Sequence, residues 1–303
     1  MRIKLCGFVV WAVFLACGLM SCQQEDRPHG VQYPIVFSNS SETRATATED
    51  DLEDGFTVYA FVQGNAGSTS FAKDVVYNAT YDVWAFESPE YWIPNTDYYF
   101  KAFYPAQLTA DTLEVANTDK NQDFTIKGYD ITEQEDIMVA SAKASVEAGA
   151  SAPTNGSVVP LNFQHLLANV IVKIKTEVNV TINNVSLKYV PVNGSYTNGL
   201  WSYSSQGNIE KVGLDKTLSS SSNEYHDVTD GGFLVFPSSV SGTSLFIRTS
   251  DKTYELPLQA PGSWVAGNRY TYTLTIKQND ILFDEPTVEE WDEENAVGSV
   301  IIK

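Results

Sequence analysis

Cysteine is confined to the first 22 residues of this 303-residue chain. A disulfide framework, a zinc–thiolate centre, an iron–sulfur cluster and a cysteine nucleophile are therefore excluded from everything that follows. The cysteines present are Cys6, Cys17 and Cys22.

Basic residues are also scarce. The chain has 19 Lys and Arg against 38 Asp and Glu, a formal net charge of −19, which argues against nucleic acid as a partner. With 43% hydrophobic and 19% charged residues the composition is that of a globular protein. An aromatic content of 12% favours β-structure, and the length suggests about two domains.

The first 21 residues have the pattern of a secretory signal. Arg2 and Lys4 precede an apolar run over residues 5–20, which is slightly short for a membrane-spanning helix. The run ends in Leu19-Met20-Ser21-Cys22, which resembles the bacterial lipobox. This resemblance implies cleavage before Cys22 and acylation of that residue, so that lipid of the outer membrane anchors the precursor. An ordinary signal with an incidental cysteine is the alternative.

We therefore assign residues 1–21 to a lipoprotein signal peptide and residues 22–30, which are polar and contain Pro28 and Gly30, to a tether. The acidic residues that follow Cys22 resemble the surface-export signal of Bacteroidota lipoproteins. A merely solvated tether would have the same composition.

Apolar residues alternate with polar ones along most of the remaining chain. The clearest example is 270–276, where threonines separate large apolar residues, and a second is 56–62. This period of two predicts half-buried strands, and pairs such as Asn198-Gly199 predict the turns between them. Long helical spacing is missing, so helix is confined to short pieces, with 163–169 as the candidate. We expect an all-β fold built of β-sandwiches.

A stretch rich in Ala, Ser, Gly and Pro, residues 141–160, lies between two β-rich regions. We place a domain division there, with an N-terminal β-sandwich over 31–150 and a C-terminal β-sandwich over 151–303.

The motifs of common catalytic and metal sites are missing. His165 lies among apolar residues and is interpreted as a structural histidine, and no nucleophile motif accompanies His226. The acidic clusters 49–54 and 289–294 do not have EF-hand spacing and are interpreted as solvated loops. We predict no enzymatic activity, no cofactor and no metal site, although a glycosidase carboxylate pair is not excluded by spacing.

Several segments form one recurring set in a fixed order. They are the lipobox, Thr43-Arg44-Ala45 ahead of 56–60, Tyr91-Trp92-Ile93-Pro94 with 98–105, 136–140, 161–168, 270–274 and Trp291. Together they resemble the fimbrillin superfamily of Bacteroidales, in particular its minor-subunit-like members. This resemblance implies two transthyretin-like β-sandwich domains in tandem and a role in fimbriae with other fimbrial subunits as partners.

The resemblance also implies a route of maturation. An Arg-directed protease would cut between Arg44 and Ala45, which would free the chain from its lipid and remove the strand predicted around 35–37. A strand from another subunit would fill the vacated groove. The candidate donor is the C-terminal segment, through Val297, Val300, Ile301 and Ile302. The alternative is that this segment is the last strand of its own domain.

Two functions remain open on these grounds. The first is a structural fimbrial subunit or tip adhesin, present on the outer membrane as a lipoprotein and then in the fimbrium, with a host or glycan ligand. The second is a surface lipoprotein that binds glycans without polymerising, for which exposed tryptophans would be the mark. The tryptophans considered, which we otherwise interpret as core or strand-edge residues, are Trp84, Trp92, Trp201 and Trp264.

Overall fold

A computed structural model of the chain describes residues 32–39, 52, 55–106, 108, 112–278 and 280–291. These residues form β-strands and no α-helix, with a 3₁₀ turn at Ile131–Glu133. The predicted all-β class is confirmed, whereas the number of sandwich domains stays a prediction. Within the described residues no helix is long and apolar enough to span a bilayer.

The strands of the described part are, in chain order, β1 (Val36–Asn39), β2 (Phe56–Gly64), β3 (Gly67–Asn78), β4 (Val83–Phe86), β5 (Thr96–Tyr104), β6 (Leu113–Val115), β7 (Phe124–Asp130), β8 (Met138–Val146), β9 (Val158–Leu161), β10 (Gln164–His165), β11 (Ala168–Thr176), β12 (Val180–Thr197), β13 (Leu200–Leu218), β14 (His226–Asp227), β15 (Phe233–Val235), β16 (Ser244–Thr249), β17 (Thr253–Pro257), β18 (Asn268–Ile276), β19 (Ile281–Phe283) and β20 (Thr287–Glu290).

The first sheet has eight strands in the order β10-β8-β5-β2-β3-β4-β1-β9. The alternation predicted for 56–62 is present, since Phe56, Val58 and Ala60 are buried and share one face of β2. That face belongs to a core that also includes residues of β1, β4, β5 and β9.

Two six-stranded sheets form around the second core. One follows the order β14-β11-β18-β19, with β15 along β11 and β20 along β18, and the other follows β17-β16-β12-β7-β6 with β13 along β12. The predicted Asn198-Gly199 turn joins β12 to β13, and both residues have the positive φ (52° and 86°) that such a tight hairpin requires.

Strand β18 differs from its sequence prediction. The alternation predicts a solvent-facing row of threonines, but Thr271 and Thr275 are 8% and 7% exposed. The reason is that β18 is central, with β11 on one side and β19 and β20 on the other. Side chains of these neighbouring strands flank the threonines on the same face of the sheet, and a threonine is small enough to be largely covered by them.

The short helix suggested for residues 163–169 is wrong. His165 pairs with Met138 across β10 and β8, and β11 has begun by Ala168. Leu166 and Leu167 are both buried. The pairing of β10 with β8, and of β11 with its own partner strands, outweighs their local helical preference.

The domain division at 150/151 stays a prediction, and the strand pairings cross it in both directions. β7, from the first part of the chain, pairs with β12, and β9, from the second part, pairs with β1. The first sheet therefore includes β9 and β10, and the sheet of β12 includes β6 and β7.

Candidate functional site: the groove that holds the first strand

Strand β1 lies between two strands that are far away in the sequence. It runs antiparallel to β4, with Val36 opposite Ala85, and parallel to β9, with Val36 opposite Val158. Because β1 has a neighbour on each side, its backbone is held within the sheet rather than at an edge.

Hydrogen bonds extend this hold to the residues that precede β1. The Ile35 N–H donates to the Glu90 carbonyl at 2.7 Å, and the Trp92 N–H donates to the Tyr33 carbonyl at 3.1 Å. Pro34, which has no N–H, makes a bridge with Tyr91 between these two bonds. The extended segment 33–39 is therefore fixed along the whole of its described length.

Three consecutive side chains of this segment are buried, namely Ile35, Val36 and Phe37 at 1%, 8% and 0% exposure. The Phe37 ring makes edge-to-face contacts with Phe86 at 5.3 Å and with Phe100 at 5.5 Å. Burial of three such side chains is worth roughly 5–9 kcal/mol, which is comparable to the net stability of a domain.

The wall of the groove at residues 90–93 is fixed from the other side by Tyr98. Its hydroxyl accepts a hydrogen bond from the Ile93 N–H at 2.8 Å, and its ring lies 4.8 Å from that of Trp92. Burial raises the pKa of Tyr98 above its ordinary value, so the phenol stays neutral. Lys73 holds the Glu90 carboxylate through an ion pair.

The residues that sequence analysis assigned to lipidation, cleavage and strand donation lie outside the described residues. They are Cys22, Arg44, Ala45, Val297, Val300, Ile301 and Ile302. The described residues on either side of Arg44 are both anchored in the first core, since Phe37 and Leu52 are fully buried. The segment with the predicted cleavage point thus joins two buried anchors.

Sequence reasoning missed the parallel partner of β1. Residues 158–161 were placed at the edge of an interdomain linker, but they form β9, and Val159 and Leu161 are buried in the first core. The only signal was the short apolar run that Val158, Val159 and Leu161 make at the end of a Ser- and Gly-rich stretch.

His165 has structural surroundings. Its Nδ1 pairs with the Asp136 carboxylate, and its ring stacks on Trp291 with the centroids 3.9 Å apart. Trp291 is 5% exposed, and its backbone N–H donates to the Gly267 carbonyl at 2.9 Å. The arrangement ties the end of the described chain to β10 and β8, as expected for a structural histidine.

His226 is not part of a catalytic triad. Its Nε2 lies 3.1 Å from Ser222 Oγ, but the Asp227 carboxylate accepts hydrogen bonds from Thr229 and Gly231 instead. Burial alone would raise the pKa of Asp227; these hydrogen bonds and the Lys216 ammonium outweigh it and hold the pKa below its usual value.

The tryptophans belong to the cores. Trp84, Trp92 and Trp264 are at most 3% exposed, and Trp201, which is partly buried, donates from Nε1 to the Leu166 carbonyl at 3.0 Å. Among the described residues there is thus no exposed row of tryptophans such as the glycan-binding alternative would require.

A family model described as fimbrillin-like matches residues 43–291. The match covers most of the chain, and the protein therefore belongs to the fimbrillin-like family. It is a fimbrial protein, of a class whose members are structural components of surface fimbriae and not enzymes.

Solved structures share this fold. A fimbrial protein from Bacteroides vulgatus is 17% identical, with a TM-score of 0.58 over 86% of this chain and 100% of that one. A protein from Bacteroides ovatus assigned to cell adhesion is 18% identical, with a TM-score of 0.55 over 88% and 100%. Identities this low show the fold alone. The comparison with curated proteins gives no significant match.

Proposed function

We propose that this protein is exported as a lipoprotein through Cys22, matured by cleavage between Arg44 and Ala45, and assembled with other fimbrial subunits by strand exchange in the groove of β1. Cleavage would release residues 22–44, which include all of β1, from the remainder of the chain. The mature subunit would leave the outer membrane for the fimbrium.

The observation that carries the proposal is the position of β1. It is a short strand that supplies the first core with Ile35 and Phe37. A single cut at the predicted point would detach it from the rest of the chain. Its loss would expose apolar side chains and the backbone groups of β4 and β9 together. A strand from another subunit would cover both at once.

The C-terminal segment has the composition such a donor requires. Val300-Ile301-Ile302 is an uninterrupted apolar triplet, as is the buried triplet of residues 35–37. In a strand, Val300 and Ile302 would share one face and would replace Ile35 and Phe37. The family match runs from residue 43 to residue 291, so β1 lies before it and the C-terminal segment lies after it.

Cleavage can be tested with an arginine-specific protease on the folded protein, with the new N-terminus read by sequencing. We expect the first cut between Arg44 and Ala45, because 40–51 has no large apolar residue to anchor it. Arg44→Lys should abolish that cut. Arg248→Lys is the matched control, since Arg248 is exposed but lies in β16 between β12 and β17.

Assembly is then followed by SDS gel electrophoresis without heating. Cleaved protein should form a ladder of multimers, and uncut Arg44→Lys protein should stay monomeric. Deletion of residues 298–303 should suppress the ladder if this chain donates its own C-terminus. If cleavage changes neither the oligomeric mass nor the stability of the protein, strand exchange is refuted.

The lipid anchor is tested separately with Cys22→Ser, since a hydroxyl does not replace the thiol in acyl transfer. The variant should leave an unprocessed or soluble form and lose full detergent-phase partitioning, with Cys17→Ser as the control. Full partitioning of Cys22→Ser into detergent would show that the lipoprotein assignment is wrong.

A further inference from the structure

A groove of about 330 Å³ lies on the face of the first sheet that is turned away from its core. Its floor is formed by Tyr99 and Lys101 of β5 and by Ser141 and Lys143 of β8, which face one another in register. Its wall is the loop between β6 and β7, at residues 120–122. None of these residues belongs to the groove of β1.

The wall is held rigidly on the sheet. Gln122 is 1% exposed, and its Nε2 donates to the Tyr59 carbonyl at 3.0 Å and to Asn117 Oδ1 at 2.9 Å. Asn117 in turn donates from Nδ2 to the carbonyls of Ala60 at 3.1 Å and Phe71 at 3.0 Å. The groove is therefore preformed, which lowers the entropic cost of binding.

The groove gathers positive charge in a chain that is strongly acidic. Lys101, Lys120 and Lys143 all line it, and within the described part of the chain none of them has a carboxylate within the 4.0 Å of an ion pair. Five of the nine other described lysines do have one; they are Lys73, Lys127, Lys188, Lys216 and Lys277.

Two of the ammonium groups are positioned by aromatic rings. Lys143 Nζ lies 5.2 Å from the centroid of Tyr99, and Lys101 Nζ lies 5.6 Å from that of Phe124. Lys101 is half-buried, and this burial lowers its pKa, although the charge of Asp123 opposes the effect. A half-buried ammonium without a paired carboxylate gains from an anionic ligand more than a solvated one does.

We propose that this groove binds an anionic saccharide, one that has a carboxylate or sulfate group on its repeating unit. The lysines would pair with the anionic groups, and Asn121 and Ser141 would hydrogen-bond to the sugar hydroxyls. Such a site goes beyond strand exchange and needs no cleavage.

The geometry favours a saccharide over an acidic peptide strand. β5, which supplies Tyr99 and Lys101, is paired on both sides, with β2 and with β8, so it offers side chains and not free backbone groups. β8 is paired on its other side only at Met138 and Val139, which is why an acidic peptide is among the probes below. An extended peptide binds best where it can add to a sheet edge. A sugar is recognised through side-chain charges, amides and hydroxyls, which are the groups present here.

The test uses the full chain in its uncut form, with binding measured by isothermal titration calorimetry. The probes are a hyaluronan oligosaccharide for carboxylate, a heparin oligosaccharide for sulfate, dextran as a neutral polymer and hexaglutamate as an acidic peptide. The groove variant is Lys101→Gln with Lys143→Gln. Its control, Lys127→Gln with Lys277→Gln, makes the same change in net charge on ion-paired lysines elsewhere.

We expect at least one of the two anionic saccharides to bind, and to bind more weakly as salt is raised. The groove variant should weaken this binding about tenfold or more, and the control by less than about twofold. The single variant Lys143→Gln, at an exposed position, should show the same direction and serves if the double variant unfolds.

Three results would overturn the proposal. The first is that neither anionic saccharide binds the wild-type protein. The second is that the control variant is weakened as much as the groove variant, which would indicate general charge attraction. The third is that dextran or hexaglutamate binds as tightly as the saccharides through the same lysines.

Discussion

The burial of Phe37 allows a quantitative test of the role of β1. The ring is fully buried and contacts Phe56, Phe86 and Phe100. Truncation of a buried phenylalanine to alanine costs about 3–5 kcal/mol, because apolar contacts are lost and a cavity is left. We therefore expect Phe37→Ala to lower the free energy of unfolding of the uncut protein by about that amount.

The measurement is urea unfolding followed by tryptophan fluorescence, since Trp84 and Trp92 belong to the same core. Val76→Ala, at a residue 42% exposed, is the control and should change the free energy by less than about 0.5 kcal/mol. After cleavage at Arg44 and removal of the released fragment, wild-type and Phe37→Ala proteins are identical in sequence and should unfold identically. A loss below about 1 kcal/mol in the uncut protein would refute the view that β1 is part of the core.

Gly232→Ala should be strongly destabilising in a thermal scan, because a Cβ there would collide with Asn169 Oδ1 and the backbone has φ +104°. Gly242→Ala is the control for backbone strain without a steric clash, since its φ is +85° and no atom lies within 4 Å of an added Cβ. It should destabilise the protein less than Gly232→Ala. Asp227 has a depressed pKa when folded, so it contributes stability above its usual value of 3.8 that is lost as the pH falls through the folded pKa. Asp227→Asn should therefore be less stable at neutral pH and lose less stability on acidification, as measured by unfolding midpoints between pH 7 and pH 2.

Local pattern was sufficient for the strands whose neighbours are close in sequence. Alternation over 56–62 predicted the buried face of β2, and Asn198-Gly199 predicted the hairpin of β12 and β13, because side-chain period and turn conformation are properties of a few adjacent residues. The buried threonines of β18 were missed for the converse reason. How far a side chain is covered depends on the strands that pair beside it from elsewhere in the chain.

Pairing between strands that are distant in the sequence could not be predicted from local sequence pattern. β9 has only four residues and lies at the end of a stretch that reads as a linker, yet it is the parallel neighbour of β1 across more than a hundred residues. The lysine groove could not be predicted from the sequence either. Lys101, Lys120 and Lys143 come from two strands and a loop, and no spacing in the sequence relates them.

The pairing of β1 also restricts how it can be replaced. Among the described strands, β9 pairs with β1 alone, so removal of β1 would leave β9 without a ladder partner as well as uncovering β4. A replacement that runs in the direction of β1 would restore an antiparallel ladder on β4 and a parallel one on β9. A reversed strand would have to form the opposite ladder on each side, against neighbours whose spacing of hydrogen-bonding groups is already fixed by β3 and by the core. The groove is therefore expected to select both the direction and the register of its donor, with Val300 and Ile302 in the places of Ile35 and Phe37.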